Sequence, residues 1–324
     1  MSHVGKIQRR HFTAGLLGLA PLTATRRLHA EEVLRLIVPF AAGSYTDTVT
    51  RLLAPSLSQR LGKTVIVENR GGANGIIGAE FVARRAAADG LTLLVGGASV
   101  NTINPSVYKS LSYDPENDLL PVARIGLLPF LLLVSAALPV HSVAELIQYA
   151  KANPGKLAYG TPNAATLVGS ETFKRSADID MLSVSYASSP QAMNDLASNQ
   201  IQVLIADLAT ANSLLQAGKV RALAVTMKER SSVLPDLPTI SESLPGFDLS
   251  AWTGLFAPGR TPPATVRPIF EALRASLAEA EVQSRFKGIG FEIDPMGPDA
   301  FGPYIREEIR KWHGVVRDAG IQPQ

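Results

Sequence analysis

At 324 residues the chain is long enough for two ordinary α/β domains, and 46% apolar with 18% charged residues excludes a disordered polymer. The formal charge of +3 misleads, because Lys6, Arg9, Arg10, Arg26 and Arg27 crowd into the first thirty positions with no acid among them. Without those five of its 31 basic residues the chain has its 28 acidic ones in excess, and such a protein has no reason to seek nucleic acid or anionic lipid.

Residues 1–30 read as an export signal. Arg9-Arg10-His11-Phe12 precedes a moderately apolar run, Thr13 to Ala24, too short and interrupted to span a bilayer. The paired arginines resemble a twin-arginine signal; an ordinary secretory signal is the alternative, and cleavage is placed after Ala30. Either route predicts a periplasmic protein, soluble once cleaved.

Leu34 to Val38 then reads as a buried strand ended by Pro39, followed by a turn at Gly43 and a helix carrying Val49, Leu52, Leu53, Leu57 and Leu61 at helical spacing. Ser44 stands three residues before Asp47, where its oxygen can cap the helix. Such a turn can hold a carboxylate or phosphate on free backbone N–H groups, or can merely connect two elements. Two further units follow: strand Lys63–Glu68, Gly-rich turn 71–75 and a helix over 76–88, then strand Leu91–Val95 ending in Gly96-Gly97-Ala98-Ser99. Three such units imply a doubly wound parallel sheet. Ile125 to Val140 is the most apolar stretch, read as a strand crossing the middle of the molecule.

The units then begin again. Ser142 and Glu145 form a capping box. Strands at 157–160, 181–185 and 201–205 lead into turns at Thr161–Thr166, Tyr186–Pro190 and Asp207, and a fourth strand covers 220–226. Ala251–Ala257 is a second crossing strand, Pro262-Pro263 opens a long helix, and a short strand near 291–293 precedes a terminal helix over 299–319. The expectation is an α/β protein of two doubly wound lobes joined by two hinge strands, with residues 31–131 plus 252–324 in one lobe and 132–251 in the other. Ligands bind beyond the carboxyl ends of parallel strands, so facing lobes make a cleft lined from both sides.

The chemical inventory is thin. Cysteine is absent, which excludes disulfides, thiolate metal sites and a lipid-anchoring cysteine. Beyond the signal only His141 and His313 remain, both read as surface residues, and no nucleophile elbow, Walker loop or dinucleotide fingerprint occurs. Asp47 and Asp207 are either functional acids or helix-terminal residues. Trp252 either stacks on a ligand or fills the core between lobes. Tyr45, on the turn with little expected to bury it, reads as a ligand contact. Binding without catalysis, cofactor or metal is the economical reading.

At this point the chain resembles a known family, the periplasmic solute receptors of tripartite tricarboxylate transporters, often called Bug proteins. The resemblance runs from about Leu34 to Ile321. It is carried by Ile37-Val38-Pro39-Phe40 with Thr46-Asp47, Val67-Glu68-Asn69-Arg70-Gly71, Tyr113-Asp114-Pro115, Gly218-Lys219-Val220-Arg221-Ala222-Leu223 and Trp252-Thr253-Gly254-Leu255-Phe256. It implies a two-lobed periplasmic-binding-protein fold, closure on a small organic carboxylate, and delivery to membrane permease subunits by a receptor expected to be monomeric. The implied ligand-binding residues are Ala42, Gly43, Ser44, Tyr45, Thr46, Asp47, Ser99 and Asn101 from one lobe, with Asn163, Ala164, Ala165, Thr166, Tyr186 and Asp207 from the other. The family's usual Pro-Gly-Gly is Ala42-Gly43-Ser44 here, Tyr45 replaces a small residue, and Leu167 replaces a frequent His. Those changes suggest a ligand with an apolar or aromatic part. A sensor-partner protein, or less readily an exported enzyme acting on a small acid, are the competing readings.

Overall fold

The computed structural model of the chain describes residues 1–3 and 32–323, so the expected export signal beyond its first three residues, and its cleavage point, lie outside the described residues. The first lobe begins as β1 (Val33–Val38), α1 (Tyr45–Leu61) and β2 (Thr64–Asn69), with β2 parallel to β1. Ser44 caps α1 by accepting from the Asp47 N–H at 3.4 Å, and Gly62 ends it at φ 62°, a left-handed position suited to glycine. Next come α2 (Ile76–Glu80), which continues into a wider turn over Phe81–Arg85, then β3 (Thr92–Gly97) parallel to β1 and the short α3 (Asn104–Val107).

The strand β4 (Leu119–Ser135) organises the rest. It starts six residues earlier than the apolar run suggested, because Leu119, Leu120 and Pro121 already pair with Pro258, Ala257 and Phe256; a register shift follows Pro121, which has no N–H to donate. It stops at Ser135, where a turn closes through the Leu138 N–H to the Ser135 carbonyl at 3.0 Å.

The second lobe is built of α4 (Val143–Ala152), β5 (Ala158–Thr161), α5 (Ala164–Ser176), β6 (Leu182–Ser185), α6 (Ser189–Ala197), β7 (Val203–Asp207), α7 (Leu208–Gln216) and β8 (Val220–Val225). The capping box expected for α4 is only half present: the Ser142 hydroxyl accepts from Glu145 at 3.1 Å, but the Glu145 carboxylate accepts from the His141 N–H, not from Ser142. The chain returns through β9 (Ser250–Pro258), α8 (Pro263–Leu277), an unanticipated α9 (Ala280–Gly288), β10 (Glu292–Met296) and α10 (Pro298–Asp318).

Two sheets result, and β4 belongs to both. Residues Leu119–Pro129 pair antiparallel with β9, which also pairs with β3, and Arg124–Leu127 take β10 on their other side. From Phe130 onward the partners change to β7 and β8, while β5 lies parallel between β7 and β6. The returning chain is tied at the same level, since the Thr226 N–H donates to Phe130 and the Leu249 N–H to Thr226, both at 2.9 Å. The first-lobe core gathers Trp252, Phe256, Phe301 and Trp312 around α10. The buried Glu308 carboxylate accepts from both indoles, Trp252 at 3.3 Å and Trp312 at 3.0 Å, which satisfies donors that would otherwise be costly there.

Candidate ligand-binding cleft

A cleft of about 640 Å³ lies where the carboxyl ends of the strands in the two sheets face each other. Its floor is the pair of crossing strands: Leu128 and Phe130 of β4 beside Ala251, Trp252 and Thr253 of β9, with Leu128 directly opposite Ala251 in the ladder. Its walls are turns that precede helices.

In the first wall, Ser44, Tyr45 and Thr46 line the cleft at the start of α1. The amides of Tyr45 and Thr46 fall in the first turn, where no intrahelical acceptor exists. Asp47 stands behind this surface as an anchor. Its carboxylate accepts from the Gly43 N–H, Arg51 Nε and Asn69 Nδ2, each at 2.9 Å, and so fixes the loop to its own lobe. Burial pushes its pKa up, but these three donors, Arg51 foremost, outweigh it and hold the carboxyl below the usual range.

Tyr45 corrects one expectation. It is well buried: only 8% of it is exposed, and its ring packs 5.9 Å from Phe291, a residue remote in sequence. Its hydroxyl is buried outside hydrogen-bond geometry with any partner. Burial, aided by the charge of Asp207 and opposed by the nearby Thr253 hydroxyl, raises its pKa well above the ordinary phenol.

The turn Gly72–Gly75 also lines this wall. Its four residues all have positive φ, including the non-glycine Ala73 at 48° and Asn74 at 52°. The strain is held by Asn74 donating to the Tyr108 hydroxyl at 2.5 Å and by Asn104 donating to the Asn74 carbonyl at 3.1 Å. Neither Asn74 nor Tyr108 is expected at the site from the sequence; the glycine spacing marks a turn but not its direction.

Ser99 joins the lobes. Its hydroxyl donates to Asn163 Oδ1 at 3.3 Å and accepts from the Ala165 N–H at 3.2 Å, at the start of α5. Asn163 and Thr166 form a reciprocal capping box there, so Thr166 is turned into its own helix and Ala164 is fully buried. Asn101 is likewise buried, its side-chain oxygen accepting from the Gly97 N–H at 3.0 Å to shape the end of β3. Of the expected residues, then, Ser44, Tyr45, Thr46 and Ser99 reach the lining from one lobe and Asn163, Ala165, Tyr186 and Asp207 from the other. Ala42, Gly43, Asp47, Asn101, Ala164 and Thr166 stand beside or behind it. Leu167, expected to add bulk, is half-buried outside the lining.

Tyr186 presents its ring, since its hydroxyl donates to Asp195 at 2.9 Å; burial first and that carboxylate second push its pKa up to about 12. Asp207 ends β7 and caps α7, accepting from the Thr210 N–H at 2.7 Å and the Thr210 hydroxyl at 3.0 Å. Burial pulls its pKa up despite those bonds. Among the described residues lining the cleft there is no Lys, Arg or His, and the sole carboxyl is Asp207. No cluster of three or more His, Cys, Asp or Glu suited to a metal occurs among the described residues, and none of their helices is long and apolar enough to cross a membrane.

Two α/β lobes around such a cleft define a periplasmic-binding-protein fold, and solved structures agree. The R. palustris protein Rpa4515 with adipate is similar at 35% identity and TM-score 0.86, over 90% of this chain and 98% of that one. MatC from Rhodopseudomonas palustris with bound malate is similar at 31% identity and TM-score 0.81, over 88% and 98%. Protein BugT of Bordetella pertussis (strain Tohama I) is 32% identical over 320 residues, 96% of this chain and 95% of its own length. Residues 49–321 match the family described as "Tripartite tricarboxylate transporter family receptor". The chain belongs to that family of solute receptors.

Proposed function

We propose that the protein is an extracytoplasmic receptor that binds a small organic carboxylate between its lobes, closes on it and hands it to the permease subunits of a tripartite tricarboxylate-type transporter. The observation that carries this reading is the cleft itself: helix N-termini from both lobes converge on it and no cationic side chain among the described residues lines it. Amides at helix starts are pre-oriented donors at the positive end of a dipole, so they hold a carboxylate without a salt bridge. The adipate and malate bound by two relatives support the same class of ligand.

Closure requires no chemistry, only rotation where the chain crosses between sheets, and we place the hinge at Pro129–Phe130 of β4 and near Leu249–Ser250 ahead of β9. Export before residue 31, a monomeric state, and binding without turnover complete the proposal. Thermal shift with a panel of carboxylates tests it: a ligand at one hundred times its Kd adds about 2.7 kcal/mol, a readily measured rise in Tm. Stabilisation by amines or sugars with no response to any carboxylate would refute the reading.

A further inference from the structure

Tyr108 apart, the polar atoms of the aromatic side chains lining the cleft are already engaged or buried. The Trp252 indole N–H is held by Glu308, its ring set edge-on to Phe301 at 5.4 Å and Tyr304 at 5.9 Å. The Tyr186 hydroxyl donates to Asp195 and the Tyr45 hydroxyl is buried beneath the surface, whereas the Tyr108 hydroxyl accepts from Asn74 on the Gly72–Gly75 wall and keeps its own hydrogen to donate. What these residues leave to a ligand is ring surface, continuous with Leu128 and Phe130 on the floor. The donors suited to a carboxylate, first-turn amides and the Tyr108 hydroxyl, are therefore on the walls, and the floor is apolar except for Thr253.

Asp207 stands at the end of that floor, directly across the β4–β7 ladder from Phe130. It is 3% exposed, and its bonding partners are the amide and hydroxyl of Thr210, neither of them a cation. A second carboxylate lying over the floor would meet a buried carboxyl in a site where no lysine, arginine or histidine among the described residues lines the cleft to compensate. An ionised Asp207 repels a second carboxylate laid over the floor, and such repulsion is a source of specificity.

We propose, resting on the carboxylate-receptor reading above, that the ligand is an acid with one carboxylate and an extended apolar or aromatic body, its carboxylate on the wall amides and its body along the β4–β9 floor, with Asp207 disfavouring a second carboxylate. Each methylene laid on the floor then leaves water, which tightens binding by roughly fourfold.

The test is calorimetric titration of the full-length mature protein with butanoate, hexanoate, octanoate, phenylacetate, adipate and malate. The expected result is an affinity that climbs about fourfold per methylene from butanoate to hexanoate and binds adipate at least tenfold more weakly than hexanoate. Phe130→Ala should flatten the chain-length series. Asp207→Asn keeps a good helix cap and should narrow the gap between adipate and hexanoate severalfold. Adipate or malate binding more tightly than hexanoate would overturn the inference and leave the carboxylate receptor standing. Binding by none of the six acids would bring down both. An unchanged adipate gap in Asp207→Asn would remove Asp207 from the account.

Discussion

The turns that open α1 and α7 are made of the same parts: a strand end, an aspartate and a helix N-terminus. In the first, Ser44 caps the helix and Asp47 lies inside it, bonded to a backbone amide, a guanidinium and a side-chain amide of its own lobe. In the second, Asp207 is itself the cap, with the backbone and hydroxyl of Thr210 as partners and the cleft before it. Burial acts on both acids, yet one pKa falls and the other rises. The partner set decides the outcome: three donors, one charged, overcome desolvation at Asp47, whereas neutral donors do not at Asp207. The first turn is therefore a fixed wall, and the second is the place where the cleft's charge can be tuned.

The largest effect that would sharpen this contrast is expected from Asp47→Ala, which takes away the carboxylate that the Gly43 amide, Asn69 and Arg51 share. Denaturant unfolding should show a loss of about 2–4 kcal/mol at neutral pH. The sign with pH follows from the lowered pKa: the stabilisation is present above the ordinary carboxylate range and is lost as pH falls through the folded value, so Asp47→Asn should flatten the acid limb of a stability profile. Asp207 runs the other way. Its raised pKa means that deprotonation favours the unfolded chain, so stability drains as pH climbs from the ordinary value of 3.8 to the folded one. Asp207→Asn should remove that slope and match or exceed wild type at neutral pH, and Asp207→Ala should cost about 1 kcal/mol for the lost cap.

Smaller effects test the walls. Asn74→Val places a β-branched residue at φ 52° and should cost about 1–2 kcal/mol, read as a lowered Tm. Ser99→Ala removes an interlobe pair of bonds and should cost about 0.5–1 kcal/mol. Its sharper readout is small-angle scattering, in which the ligand-free variant should be more open than wild type.

Local signals were legible from the sequence. Ser44 with Asp47, and the turn at Thr161–Thr166, announce helix starts because caps act within one turn. The repeated strand–turn–helix order announced two lobes, and the apolar run at 125–140 announced a crossing strand. What was not legible depends on residues distant in sequence. Tyr45 looked exposed because its partner, Phe291, arrives on the chain's last strand–helix unit. Strand β4 begins at Leu119 because β9 is there to receive it. The inward turn of Asn74 depends on Tyr108 and Asn104, and Leu167 misses the cleft because α5 is docked by its Asn163 cap.

The central claim is that backbone amides at helix starts, rather than charged side chains, receive the ligand. A crystal structure of the protein soaked with hexanoate tests it most directly. The account predicts closed lobes, with carboxylate oxygens about 2.7–3.2 Å from first-turn amides such as those of Tyr45 or Thr46, and the alkyl chain over Leu128, Phe130 and Trp252. A carboxylate paired with a lysine or arginine, or seated outside the cleft, would contradict it.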